Sequence, residues 1–238
     1  MNAKMFVALA LAMASSAATA ATVHPLNNKS QEHSQWCWDA TARNLIYQLS
    51  GGSKDIPECR LADYAHLAPK NLLYTYGSSC NFPNFSFNTR QGTLQDVANQ
   101  PNLMTGYNRG LYGMSYGTAT IIGLFTGWNA TYSNPNGPLS FSTVKSQIDA
   151  NKSSEIALMF YDASGKTVGG HNVLLIGYSV MGSTNYVQVF DPEPGEGTKL
   201  VAYSALVSEP FNSFFSSVPG SSQMQGVAAK WQGSLLMQ

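Results

Sequence analysis

Four segments in the C-terminal half constrain the fold most: EIALMFY (155–161), HNVLLIGYSV (171–180), NYVQVFD (185–191) and KLVAYSAL (199–206). Each is apolar or alternating, and Gly, Ser and Asn turns separate them, the pattern of strands that follow one another in an antiparallel sheet. Just before them, STVKSQIDAN reads as an amphipathic helix with Ser142 or Thr143 near its cap. The stretch from about 81 to 140 is rich in Asn, Gly, Ser, Thr and Tyr and shows no repeat or sustained period. Short helices are expected near 59–68 and 93–100, with loops or short strands after them.

One helix is clear in the N-terminal half. From Cys37 onward Trp38, Ala42, Leu45, Ile46 and Leu49 recur at helical spacing, and Gly51–Gly52 stops the run. The spacing predicts a helix over about 37–49. Helices first and sheet second give an α+β fold, with an N-terminal helical part packed on a C-terminal antiparallel sheet. At 238 residues the chain suits one domain of ordinary size.

Charge narrows the partners. With 13 basic against 13 acidic side chains and no adjacent Lys/Arg residues, nothing attracts nucleic acid or an anionic membrane. The first 20 residues carry Lys4, an apolar stretch from Met5 to Ala14 and small residues ending Ala18-Thr19-Ala20, the pattern of a secretory signal with cleavage after Ala20. Its apolar run is about ten residues, short of the roughly 20 that cross a bilayer. The expected product is a secreted or periplasmic monomer, residues 21–238, with no membrane span once the signal is removed.

Export makes the three cysteines informative, because thiols in an oxidising compartment tend to pair. Cys59 and Cys80 lie in polar, turn-rich settings and form the better pair. Closing that loop of about 20 residues is worth on the order of 3 kcal/mol in the chain-entropy model. Two alternatives stay open: both thiols free, or both joined with His66 in a metal site. The spacings contain no close Cys-x-x-Cys or His-x-x-x-His grouping, so no metal and no cofactor are expected.

Cys37 is then the odd thiol. It opens the helix, where free backbone N–H groups and the positive end of the dipole can stabilise a thiolate or an oxyanion. Asp39, two residues on, projects roughly 200° around the axis and should serve as a helix-start acid. Trp36 and Trp38 should pack. In the sheet, His171 leads a strand after Gly169 and Gly170, which allow close approach of a backbone or substrate. Asp191 ends the next strand, held extended before Pro192. In a hairpin the two lie side by side.

Taken together, Q-x-x-x-x-W-C-W (31–38), GGH (169–171) and V-x-x-x-D-P-x-x-G (187–195) resemble the papain-like cysteine proteases, in particular the compact bacterial branch that includes bacteriocin-leader peptidases and secreted effector proteases. The similarity runs from about 25 to 205, and IPECRLADY with SSCN resembles that branch's cysteine-containing segment. The 134 residues from Cys37 to His171 fall inside the roughly 130–150 expected when the nucleophile lies near the mature N-terminus.

The resemblance implies that Cys37 is the nucleophile, His171 its base, Asp191 the group orienting the imidazole, and Gln31 an oxyanion donor beside the Cys37 N–H. It implies a protein or peptide substrate, and Tyr- and Phe-rich loops suggest a partly apolar cleft. Asp39 stands where the family has a small residue, and NKSSEIALMFY replaces a basic-proline lead; neither is expected to touch the site. About 16 mature residues would precede Cys37, too few for an inhibitory pro-domain. A cysteine acyltransferase or glutamine deamidase would use the same groups, and an inactive binding protein could keep the fold.

Overall fold

In the computed structural model, residues 18–32, 37–58, 60, 61, 118, 119, 121–123, 125–133, 137–208 and 228–238 are described. The described elements run in the order β1 (Thr19–Thr22), α1 (Cys37–Leu49), β2 (Ala130–Ser133), α2 (Phe141–Asp149), β3 (Ser154–Tyr161), β4 (Thr167–Met181), β5 (Thr184–Asp191), β6 (Gly197–Ala202), α3 (Tyr203–Val207) and β7 (Ala228–Met237). The strands form one seven-stranded sheet, β2-β7-β3-β4-β5-β6, with β1 added on β4. Every pairing is antiparallel.

The centre of the sheet explains why EIALMFY does not alternate. β3 lies between β7 and β4, and Ile156, Ala157, Leu158 and Phe160 are all buried, so the strand is covered on both faces. Helix α1 covers β4 with Trp38, Ala42, Leu45 and Ile46, all members of the core. Burial of a Leu or Ile of this kind is worth about 1.5–3 kcal/mol. The helix stops as its sequence demands. Gly51 and Gly52 take φ of 64° and 83°, and Gly52 N–H donates to Tyr47 C=O at 2.8 Å, closing the last turn.

The fifteen-residue β4 is the spine. β3 pairs with its residues 167–175 and β1 with 177–180, while β5 takes 174–181 on the opposite edge. Strands β1 and β3 therefore lie end to end along one edge of β4. At the last residue of β1, Thr22 Oγ1 donates to Gln188 Oε1 at 2.8 Å, a bond from β1 to β5 that passes over Gly177 of the strand between. A Cβ at Gly177 would stand 2.5 Å from Gln188 Oε1 and 2.8 Å from Ala21 C=O. Glycine is required there by the crossing, not by φ.

The expected α+β architecture is present, an N-terminal helix packed on a C-terminal antiparallel sheet, and β1, which precedes α1 in the chain, adds one N-terminal strand to it. Several finer expectations need correction. The cap of α2 is Ser140, two residues before Ser142: its backbone is extended (φ −62°, ψ 150°) and its hydroxyl accepts the Thr143 N–H at 3.1 Å. β4 begins at Thr167, so His171 lies inside a strand and not at its start. KLVAYSAL is strand only to Ala202; α3 follows, where Tyr203 OH donates to Leu139 C=O at 2.6 Å and its ring meets Phe141 edge-on. The described positions from 118 to 126 are helical where loops or strands were expected. The helix expected near 59–68 falls mostly, and that near 93–100 wholly, outside the described residues, as do Trp36, Cys59, His66 and Cys80.

Candidate active site

Helix α1 and strands β4 and β5 bring three side chains together. Cys37 opens α1, is buried and is a free thiol. His171 projects from β4 and meets it by charge and by hydrogen bond. On its other side, His171 Nε2 lies 2.7 Å from Asp191 Oδ1. With Nε2 engaged by the carboxylate, Nδ1 is the nitrogen left for the sulfur.

The β4–β5 register explains the reach. The ladder ends at Leu174–Phe190, and beyond it Asp191 stands diagonally across from His171, a distance that an imidazole spans. Asp191 is fully buried and is held further by the Glu193 N–H, which donates to its Oδ1 at 2.9 Å. Lys199 on β6 brings its ammonium to 3.9 Å of Asp191 Oδ2 and also pairs with Glu196.

These contacts set the charges. Burial alone would push the His171 imidazole down, but charge and hydrogen-bond interactions with Cys37 and Asp191 raise it to about 10. Burial would push Asp191 up; the hydrogen bond and charge of His171, the Glu193 N–H and the Lys199 charge together hold it below the usual carboxylate range. At neutral pH the imidazole is protonated, with the Asp191 carboxylate on one side and the Cys37 sulfur on the other.

Gln31 is buried in the segment that precedes α1. Its N–H donates to the C=O of Pro192 at 2.7 Å, which ties this segment to the residue after Asp191. Its side-chain Oε1 is buried and accepts no hydrogen bond. Asp39 is completely buried, unlike a solvated helix-start acid, and Trp38 packs in the core. Gly169 is exposed, and a Cβ there would meet only the Phe160 ring at 3.5 Å, so the chain's own packing does not require glycine.

Two buried acids were missed by the sequence reading. Glu155 accepts from Thr41 Oγ1 at 2.7 Å and from Asn172 Nδ2 at 3.1 Å. It thus joins the second turn of α1 to the residue after His171. The signal was a carboxylate heading an otherwise apolar strand. Glu58 accepts the Glu32 N–H at 2.9 Å, next to Gln31. Nothing in IPECRLADY distinguished it. Among the described residues no cluster of three His, Cys, Asp or Glu side chains could hold a metal, and no helix is long and apolar enough to cross a membrane.

No curated protein matches the chain. Residues 22–216, however, match the model of the Peptidase_C39 like family. The match spans most of the sequence, Gln31, Cys37, His171 and Asp191 included, and on it the chain belongs to this family of bacterial papain-like cysteine peptidases.

Proposed function

We propose that the protein is an exported endopeptidase that hydrolyses peptide bonds through Cys37, His171 and Asp191. The observation that carries this reading is the buried contact of His171 Nε2 with Asp191 Oδ1 at 2.7 Å, on an imidazole whose other edge faces the Cys37 sulfur. The Cys37 thiolate attacks the scissile carbonyl, and the oxyanion is met by the Cys37 N–H at the helix start and by the Gln31 side-chain amide. The imidazolium gives its proton to the leaving amine. The neutral imidazole then takes a proton from the water that attacks the thioester, and collapse of the tetrahedral intermediate breaks the C–S bond, releasing the acid product and leaving the Cys37 thiolate beside the imidazolium. Asp191 keeps the ring in one orientation and stabilises its charged form throughout.

Residues 1–20 act as a signal peptide cut after Ala20, leaving residues 21–238 as the peptidase domain, secreted or periplasmic and monomeric. Cys59 and Cys80 form its disulfide, and Cys37 is the one titratable thiol. Peptide mapping tests the pairing: Cys37 recovered in a disulfide defeats it.

Incubation of the purified mature chain with a peptide library, read both for new termini and for released ammonia, tests the activity. New termini that disappear in Cys37→Ala are expected. Ammonia without cleavage would instead indicate attack on glutamine side chains, and a product extended by an added amine would indicate acyl transfer.

A further inference from the structure

The oxyanion donor proposed above lies in a segment that no helix or strand ladder holds. Gln31 sits six residues before Cys37 in irregular chain. Its position rests on two consecutive backbone groups: the Gln31 N–H donates to Pro192 C=O at 2.7 Å, and the Glu32 N–H donates to Glu58 Oε2 at 2.9 Å. The first bond ties the segment to the end of β5, beside Asp191. The second ties it to a carboxyl that is completely buried and whose Oε1 accepts no hydrogen bond.

For stability alone Glu58 is a poor choice. A buried acid with one oxygen unsatisfied is destabilising compared with an apolar side chain of the same volume. Arg43 provides some compensating charge, but its guanidinium is already bound to Glu32 and Asp55, each at 2.7 Å. What Glu58 does provide is a strong acceptor at one fixed point, directly against the residue that follows Gln31.

We propose that Glu58 is a positioning residue for the peptidase reaction: its buried carboxyl holds the Glu32 N–H and so presents the Gln31 amide to the oxyanion. This rests on the reading of Gln31 as an oxyanion donor. A misplacement of about 1 Å in such a group can lower turnover by on the order of 100-fold.

The test uses the mature full-length chain with three variants, Gln31→Ala, Glu58→Met and Glu58→Gln, and the double variant Gln31→Ala/Glu58→Met. Methionine fills the buried volume without an acceptor; glutamine keeps an acceptor oxygen. Two rates are measured, kcat for a fluorogenic peptide and alkylation of Cys37 by iodoacetamide, a displacement in which no oxyanion forms. Glu58→Met should lower kcat about 10- to 100-fold with alkylation within about twofold of the parent, Glu58→Gln should recover most of the loss, and the double variant should be no slower than Gln31→Ala. Unchanged kcat in Glu58→Met, parallel losses in both rates, or losses that multiply in the double variant would overturn the proposal. Full kcat in Gln31→Ala with reduced kcat in Glu58→Met would instead remove Gln31 from the oxyanion site.

Discussion

At the scale of single residues, the site is a proton held on His171 between the Cys37 sulfur and the Asp191 carboxylate. His171 keeps it because the Cys37 sulfur and Asp191 both favour the imidazolium over the neutral ring, against the effect of burial. Replacing Cys37 with Ala removes the larger of the two raising charges. His171 should then titrate well below about 10, a change readable in the ring nitrogen shifts by NMR. An unchanged titration would mean that the sulfur does not face the ring. Asp191→Ala should lose more peptide hydrolysis than Asp191→Asn, since the amide can still accept a hydrogen bond from the ring while the methyl group cannot. Equal and unaltered rates in both would leave the Asp-Pro as a turn only. These residues were legible in the sequence because their chemistry is local: an odd thiol at a helix start, a histidine after two glycines, an acid before proline. Glu58 and Glu155 were not, because what makes them matter is burial beside partners 26 and 17 residues away or more.

At the scale of elements, α1 was readable to its last residue since its apolar spacing and its glycine stop agree. The first residue of α2 was not. Three hydroxyl residues, Ser140, Ser142 and Thr143, cluster there, and only the extended backbone at 140 selects the cap. Ser140→Ala should destabilise the fold by about 1 kcal/mol in urea denaturation, whereas Ser142→Ala should change it by a few tenths at most. Strand β7 pairs with β3, some seventy residues earlier, and its Gly233 interrupts the pattern, so no local period announced it. Gly177 marks a sharper dependence. Gly177→Val should cost about 1–3 kcal/mol, because the new side chain displaces the Thr22–Gln188 bond and the Ala21 backbone together. Thr22→Val should cost less, since it removes that bond without forcing the strands apart. The reverse order would mean that β1 does not cross there.

At the scale of the whole molecule, buried ionisable groups shape how stability responds to pH. Glu58 is raised by burial from 4.5 to about 7, so its contribution is fully present below 4.5 and is lost as pH rises through about 7. Asp191 acts in the opposite sense: its folded form favours ionisation, so its contribution is present above 3.8 and lost as pH falls below it. His171 contributes fully below 6.5 and ceases to do so as pH rises through about 10. Glu58→Gln should therefore remove a decline on the order of 2 kcal/mol between pH 4.5 and 7.5 in urea midpoints, and a parallel decline in parent and variant would show that Glu58 does not titrate there. The α+β class was visible in the order of helix and strands; the N-terminal strand was hidden inside what reads as a targeting signal. That strand puts the proposed processing bond in an unexpected place. Ala20 and Ala21 are both paired with β4, opposite Ser179 and Tyr178, and Val23 just beyond them is fully buried and bonded to Ile176 C=O. A processing enzyme needs its substrate bond extended and unpaired, so the proposed cut after Ala20 would have to precede closure of the sheet. A precursor refolded before it meets the signal peptidase should be cut far more slowly than the same chain presented unfolded, and equal rates would place the cut outside β1.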